Sequence, residues 1–432
     1  MCDYKRVEVN IKRSMLIFIL PFSFYAEVMR ISAEDAVRMA LKCGLDVQNA
    51  DYEEKIKKLY KDTSWNVFIP NLGISSSFSG PSFTMSNLIG NERWLLGFGL
   101  SANFSISASD FSKIKLAILN YEVAKVTKGK VIKDIKLNVL KMYNELIAFK
   151  NILEVLQSQL ENSRVKVEQA KIAYNNGFIS EIDYLDANLR YSKFQSDLEQ
   201  KIIEFERTKE KFKLLLGLDV FQDFETIGEL SDEILDVSLF DKVIDVNGSL
   251  EVKKLNGSAK IMKTMLNNLW LDTFLPKFSF SIYYGPGGIA FSNGLGRLSN
   301  QGFQFSLALT YSLNEILPFS KSFIGIWEQD YQLQILDNKI ENKIRELKAN
   351  IIQKRKSIRL YKSILDNSKI NLEMSKRNYH VAFKAFNAGT VDLLKLNDIE
   401  ASYKQSDLQL IKDKLNYANI ILEYRDLLNE LD

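Results

Sequence analysis

The sequence predicts a mainly helical protein with a smaller share of β-strand, built as a duplicated helix–strand–strand–long helix–helix unit. Three observations predict it. Two long heptad seams each run into a glycine turn. Two pairs of short segments alternate apolar residues with small polar ones. Proline and glycine are scarce, 6 and 20 among 432 residues, which argues for few, long elements rather than several compact domains.

The seams come first. Backwards from Gly177, apolar residues at Tyr174, Ala170, Val167, Leu160, Leu156 and Leu153 continue to Ile135 at spacings of three and four, broken by Ser163. From Gly389 the same walk passes Phe386, Ala382, Tyr379, Leu372 and Leu365 and reaches Ile340, with Ser375, Ser368 and Lys354 on the seam. The two walks superpose at an offset of 212 residues, which sets Gly389 against Gly177 and Ser375 against Ser163. A seam held in one register over that length is a coiled-coil signal. Held twice, it is an internal repeat.

At the N-terminus, Lys5, Arg6, Lys12 and Arg13 precede the apolar run from Met15 to Ala26. A basic region before a short apolar run reads as a secretory signal over residues 1–26. A buried amphipathic N-terminal helix is the other reading. No run of about 18 apolar residues exists, so no helical membrane span is expected.

The first repeat covers 27–219. Ser32 is the expected N-cap of its opening helix, with Asp35 in the capping-box position, and the helix resumes to Lys61 before Trp65-Asn66-Val67-Phe68-Ile69-Pro70 ends it. Strands are expected at about 66–79 and 93–107, the long helix at about 111–176, and a return helix capped by Ser180 at about 180–216. That long helix spans roughly 100 Å at about 1.5 Å per residue. Residues 220–246 read as a connector. The second repeat, 247–432, has a helix ending at Thr273-Phe274-Leu275-Pro276 and strands at about 276–285 and 301–313. A long loop from Gly285 to Gln301 separates these strands; a long helix at about 319–388 and a return helix at about 391–430 follow.

The strands carry the functional signal. Leu96, Phe98, Leu100, Phe104 and Ile106 share one face, and Gly97, Gly99, Ser101, Asn103 and Ser105 share the other. Phe303, Phe305, Leu307 and Leu309 alternate in the same way with Gln304, Ser306, Ala308 and Thr310. A soluble sandwich strand fits this pattern, and so does a membrane β-barrel strand with lipid outside and water inside. The small polar face favours the barrel, because a sandwich would expose longer charged side chains. Leu96, Phe98, Leu100, Phe305, Leu307 and Leu309 are therefore expected to face lipid. Four strands per chain are too few to close a barrel, and a membrane sheet cannot leave an edge unpaired. Three copies would give about twelve strands, within the range of known barrels.

No catalytic constellation, cofactor loop or metal-ligand cluster is found. His380 is the only histidine, and it lies in a helix without a second ligand nearby in sequence. Gly129-Lys130 lacks the flanking residues of a phosphate-binding loop. The net charge is +3 with no dominant basic patch, which gives no reason to expect nucleic acid.

The order of elements, the repeated entry into a strand at Pro70 and Pro276, and the two glycine turns resemble the TolC family of outer-membrane efflux and secretion channels. Tyr174-Asn175-Asn176-Gly177-Phe178-Ile179 and Phe386-Asn387-Ala388-Gly389-Thr390-Val391 resemble the family's tip motifs, Val-Gly-Leu and Val-Gly-Thr, with Asn176 and Ala388 in place of the valine. The likeness continues through Asp183-Tyr184-Leu185-Asp186-Ala187 and Asn397-Asp398-Ile399-Glu400-Ala401. The resemblance implies a homotrimer in the outer membrane, whose twelve-stranded barrel continues as a coiled-coil tunnel through the periplasm. It implies two partners: a periplasmic adaptor (membrane fusion) protein, docking at Asn176, Gly177, Phe178, Ala388, Gly389 and Thr390, and an inner-membrane pump of the RND or ABC type. In the family, acidic residues six and nine positions beyond the second tip glycine form the gate ring. Here those positions hold Lys395 and Asp398, and their counterparts in the first repeat are Asp183 and Asp186. One gate charge is thus inverted, which suggests a lock between Lys395 and Asp183. The rival reading is a periplasmic adaptor-like or structural coiled-coil protein with a soluble β-domain.

Overall fold

The protein is described from a computed structural model, which covers residues 29–79, 94–230, 245–292, 295–298 and 302–428. The expected signal segment lies outside the described residues. In chain order the elements are β1 (Met29–Ile31), α1 (Ala33–Cys43), α2 (Leu45–Asp62), a 3-10 turn at Ser64–Phe68, β2 (Asn71–Ser79), β3 (Trp94–Ile106), α3 (Ala108–Asn175), α4 (Glu181–Leu216), β4 (Phe224–Thr226) and a 3-10 turn at Val246–Gly248. Then follow α5 (Leu250–Phe274), β5 (Lys277–Ser292), β6 (Leu295–Leu298), β7 (Gly302–Thr310), α6 (Leu313–Ile316), α7 (Lys321–Asn387) and α8 (Leu393–Leu428). No described helix is long and apolar enough to cross a membrane.

The two repeats do not fold as two bodies. The chain forms two compact units, and each draws on both repeats. One holds Tyr52–Thr127 and Leu250–Ile344; the other holds the described residues up to Asp51, Lys128–Ser249 and those from Arg345 onward. The reason is pairing across the repeats: β3, the second long strand of the first repeat, hydrogen-bonds β5, the first strand of the second.

In the sheet-bearing unit the long strands are antiparallel in the order β2-β3-β5-β7, with β6 pairing the far end of β5. Three local differences from the sequence expectation have physical causes. Residues 64–68, at the expected strand start, wind into a 3-10 turn held by Ile69 N–H to the Asn66 carbonyl at 3.0 Å, so β2 begins at Asn71. The expected loop after Gly285 is instead the continuation of β5 to Ser292, because the 13-residue β3 offers it a partner. The register shifts there, with Gly99 of β3 facing both Gly285 and Pro286; the proline sits where its missing N–H costs no ladder bond. Beyond β7 the chain turns at Thr310 rather than at residue 313. The short α6 follows it, and Ser320 then caps α7 by accepting the Phe323 N–H at 3.1 Å.

In the other unit, α3 and α4 form one antiparallel hairpin and α7 and α8 another. The expected connector contributes β4, which pairs in parallel with β1. The Tyr143 hydroxyl, buried on α3, donates to the Ile31 carbonyl at 3.0 Å and to that of Ile227. Around it Ile31, Ala40, Val139, Leu146, Phe212 and Leu216 form the larger core. A second core joins α7 to α8 through Ile358, Leu365, Tyr417 and Tyr424. One buried polar pair sits on this seam: the Ser368 hydroxyl donates to Asp413 at 2.6 Å. Glu423 of α8 accepts from both Lys141 of α3 and Lys354 of α7. Burial opposes its ionisation, yet the two ammonium groups hold its carboxyl below the usual range. Nearby Asp426 is pushed up by burial, with Lys133 at 3.5 Å only partly offsetting it.

Candidate functional site

Two regions carry the residues singled out above, and each is built by local sequence. The first is the sheet. Paired residues of antiparallel strands point to one side, so the registers sort every position. Ile74 opposes Leu100, Leu100 opposes Tyr284, and Tyr284 opposes Phe303. Likewise Phe104 opposes Phe280, and Phe280 opposes Leu307. Leu72, Phe78, Phe98, Ile106, Phe305 and Leu309 join this apolar side. Most of it is uncovered: Ile74 is 87% exposed and Leu307 70%. The side chain of Leu96 lies outside the described ones, though its backbone opposes Phe78.

The opposite side is small and polar. Ser75, Ser77, Ser101, Asn103, Ser281 and Ser306 lie on it, and the Ser281 and Ser306 hydroxyls bond each other at 2.7 Å. Tyr283 lies over Gly99, where a β-carbon would approach its hydroxyl to 2.3 Å, so any larger residue there would have to displace the Tyr283 ring. The outer edges of β2 and β7 have no partner strand among the described residues.

The second region is the ends of the two helical hairpins. Gly177 and Gly389 take φ of 74° and 72°, the left-handed conformation that glycine adopts most readily. Both helices end in the same hydrogen-bond pattern. Gly177 N–H reaches the Tyr174 carbonyl and Phe178 N–H that of Ala173; Gly389 and Thr390 repeat this on Phe386 and Ala385. This is the Schellman arrangement, which satisfies the orphan carbonyls of a helix end. Asn176, Gly177, Phe178, Ala388, Gly389 and Thr390 are all exposed, Phe178 by 80%. The return helices start alike at the same 212-residue offset: Ser180 caps α4 through the Asp183 N–H, and Asp392 caps α8 through the Lys395 N–H at 2.7 Å.

The four gate candidates have different surroundings. Asp183 completes a capping box, accepting from the Ser180 N–H at 3.1 Å and its hydroxyl at 2.6 Å. Lys395 is exposed, and among the described residues it makes no ion pair with Asp183. Asp186 and Asp398 share a cation that sequence reasoning passed over. Arg190 Nε donates to Asp186 at 2.8 Å, and its Nη2 lies 3.7 Å from Asp398. The Asp186–Arg190 spacing of four residues was the available signal. Lys166 of α3 donates to Asn397 at 2.8 Å and to Glu400 of α8. Asp186, Arg190, Lys166, Asn397 and Glu400 line a cleft of about 440 Å³ between α3, α4 and α8, together with Ser163 and Lys404, and Asp398 lies outside that lining. Among the described residues no cluster of His, Cys, Asp or Glu could hold a metal ion.

No protein-family profile matches the chain, and no curated protein sequence does. Solved structures do. The chain is similar to the CmeC outer-membrane channel of Campylobacter jejuni, with a TM-score of 0.77 and 14% identity over 92% of this chain and 85% of that one. It is similar to the outer-membrane protein VceC of Vibrio cholerae, with a TM-score of 0.74 and 12% identity over 92% and 95% of the two chains. The open-state MtrE outer-membrane channel of Neisseria gonorrhoeae also matches, with a TM-score of 0.74 and 14% identity over 93% and 89%. At such identities the likeness is one of fold, and it extends over nearly the whole described chain.

Proposed function

We propose that this chain, which has the fold of these outer-membrane channels, is itself a passive export duct in the outer membrane. Three copies close a twelve-stranded barrel, and their helices continue it as a tunnel through the periplasm. The observation that carries the reading is the sheet of four long strands with one apolar side, one small polar side and, among the described residues, open edges on β2 and β7. In lipid an unpaired edge costs several kcal/mol per orphan group, so the edge of β2 calls for the β7 edge of another copy. The apolar side then meets lipid and the polar side water.

The duct supplies no energy, so a periplasmic adaptor and an inner-membrane pump, of the RND or ABC type, complete the machine. The hairpin ends are the docking end for the adaptor, and Asp186, Asp398 and Lys395 sit where a gate would narrow the tunnel. The cargo is small molecules such as drugs, or secreted proteins. The rival, a soluble periplasmic coiled-coil protein, is disfavoured by Ile74, Leu100 and Leu307, whose apolar side would stand bare in water.

Fractionation tests the reading. Expected is recovery of the full chain from the outer membrane, with detergent, as a trimer that heating dissociates. Recovery in the soluble periplasmic fraction refutes the duct.

A further inference from the structure

The cleft between α3, α4 and α8 has an interior that neither the sheet nor the hairpin ends use. It stays open because each of its three walls carries a small residue: Ser163 on α3, Ala187 on α4 and Ala401 on α8. Ser163 interrupts the apolar seam of α3, and its hydroxyl is turned back onto the Leu160 carbonyl at 2.8 Å. A volume of about 440 Å³ is that of a small-molecule site.

Polarity is graded along this cleft. Lys166, eleven residues before Gly177, bonds Glu400, eleven residues after Gly389, so distance from the two glycines gives one scale for all three walls. Nearest the hairpin ends the charges are spent on each other: Lys166 on Glu400 and Asn397, and Arg190 on Asp186. Farthest from them the lining is apolar. Leu156, Phe194 and Leu408 lie seventeen to twenty-one residues away, the first buried and the others half-buried. Lys193 and Lys404 sit between these regions, sixteen and fifteen residues from the glycines. Among the described residues neither makes an ion pair; Lys404 only approaches the Ser158 hydroxyl at 3.5 Å and lies over the ring of its neighbour Tyr403. Of the lining carboxylates, Asp197 alone has no partner among the described residues, and it lies twenty residues away. Two uncommitted ammonium groups against one carboxylate, next to an apolar end, complement a molecule with one negative charge and an apolar body.

We infer that this cleft binds a small amphipathic monocarboxylate. Its apolar body lies against Leu156, Phe194 and Leu408, and its carboxylate accepts charge-assisted hydrogen bonds from Lys193 of α4 and Lys404 of α8. Asp197 rejects a second carboxylate at the apolar end, which sets monoanions apart from dianions. A bound carboxylate ties α4 to α8, as Arg190 does nearer the hairpin ends. The site lies within one chain and stands or falls separately from the duct.

The test uses the full-length protein in its membrane and phenylbutyrate as the probe, with phenylbutanol and phenylbutylamine as its uncharged and cationic counterparts. Acylation of lysines, read by mass spectrometry, should fall severalfold at Lys193 and Lys404 once phenylbutyrate reaches about millimolar concentration. Labelling of Lys376, exposed on α7 and outside the cleft, should not change. The two counterparts should protect neither lysine. Lys404→Gln should raise the phenylbutyrate concentration that half-protects Lys193 about tenfold, and Ala401→Leu, which fills the cleft, should abolish protection. No protection by phenylbutyrate, equal protection by all three probes, or protection of Lys193 unaltered in Lys404→Gln overturns the site.

Discussion

Neighbouring residues of one strand have opposite environments in this protein. Leu100 and Ser101 are adjacent on β3, yet Leu100 shares its side with Ile74 and Tyr284, and Ser101 shares the other with Gly73 and Tyr283. If the apolar side meets lipid, an arginine there costs about 2–4 kcal/mol near the bilayer midplane. Leu100→Arg should therefore reduce trimer yield in the outer membrane strongly, and Ser101→Arg only slightly, as measured on unheated gels. Equal tolerance of both would remove the barrel. Asp183 teaches a related lesson at the tip. By position it is a gate candidate, but by bonding it is a helix cap: both Ser180 donors occupy one carboxylate oxygen.

Between elements, the long helices are tied by charge as well as by apolar seams. Glu423 joins α8 to α3 and α7 at once, and its side chain is 27% exposed. Glu423→Gln leaves two partly buried ammonium groups without their counter-ion and should cost about 1–3 kcal/mol, between exposed and fully buried pairs. The sign of the pH dependence follows from the lowered carboxyl pKa. The stabilisation is fully present above the ordinary value of 4.5 and is lost as pH falls through the lower folded value. The melting temperatures of wild type and Glu423→Gln, followed by circular dichroism, should differ at pH 7 and converge as acidification carries the pH below the lowered carboxyl value. A gap that persists in acid would mean that the pair does not act through ionisation.

For the whole molecule, the proposed duct requires an end that opens. Within one chain Arg190 gathers Asp186 and Asp398, thereby linking α4 to α8. A gate is a two-state element biased by a few such contacts. Arg190→Ala frees two carboxylates, which then repel; single-channel conductance in a planar bilayer should rise, with stronger cation preference. Lys395→Asp should act in the same direction, and Asp398→Ala should lower the cation preference. Conductance and ion preference identical to wild type in all three variants would place these groups away from the conduction path.

The sequence by itself determined the period of every long element, because heptad spacing and strand alternation are local and survive without any partner. It also determined the duplication at 212 residues, the two glycine turns and the contrast between the faces of β3 and β7. The tertiary structure alone decided what depends on residues distant in the chain. Residues 286–292 read as loop by composition, and β3 draws them into β5. Met29–Ile31 and Phe224–Thr226 are too short to announce themselves, and each becomes a strand because the other, with Tyr143, satisfies its backbone. Arg190 gains its second partner only because α8 brings Asp398 within 3.7 Å. Local periodicity records which side of an element is apolar; only packing determines which charge finds a partner.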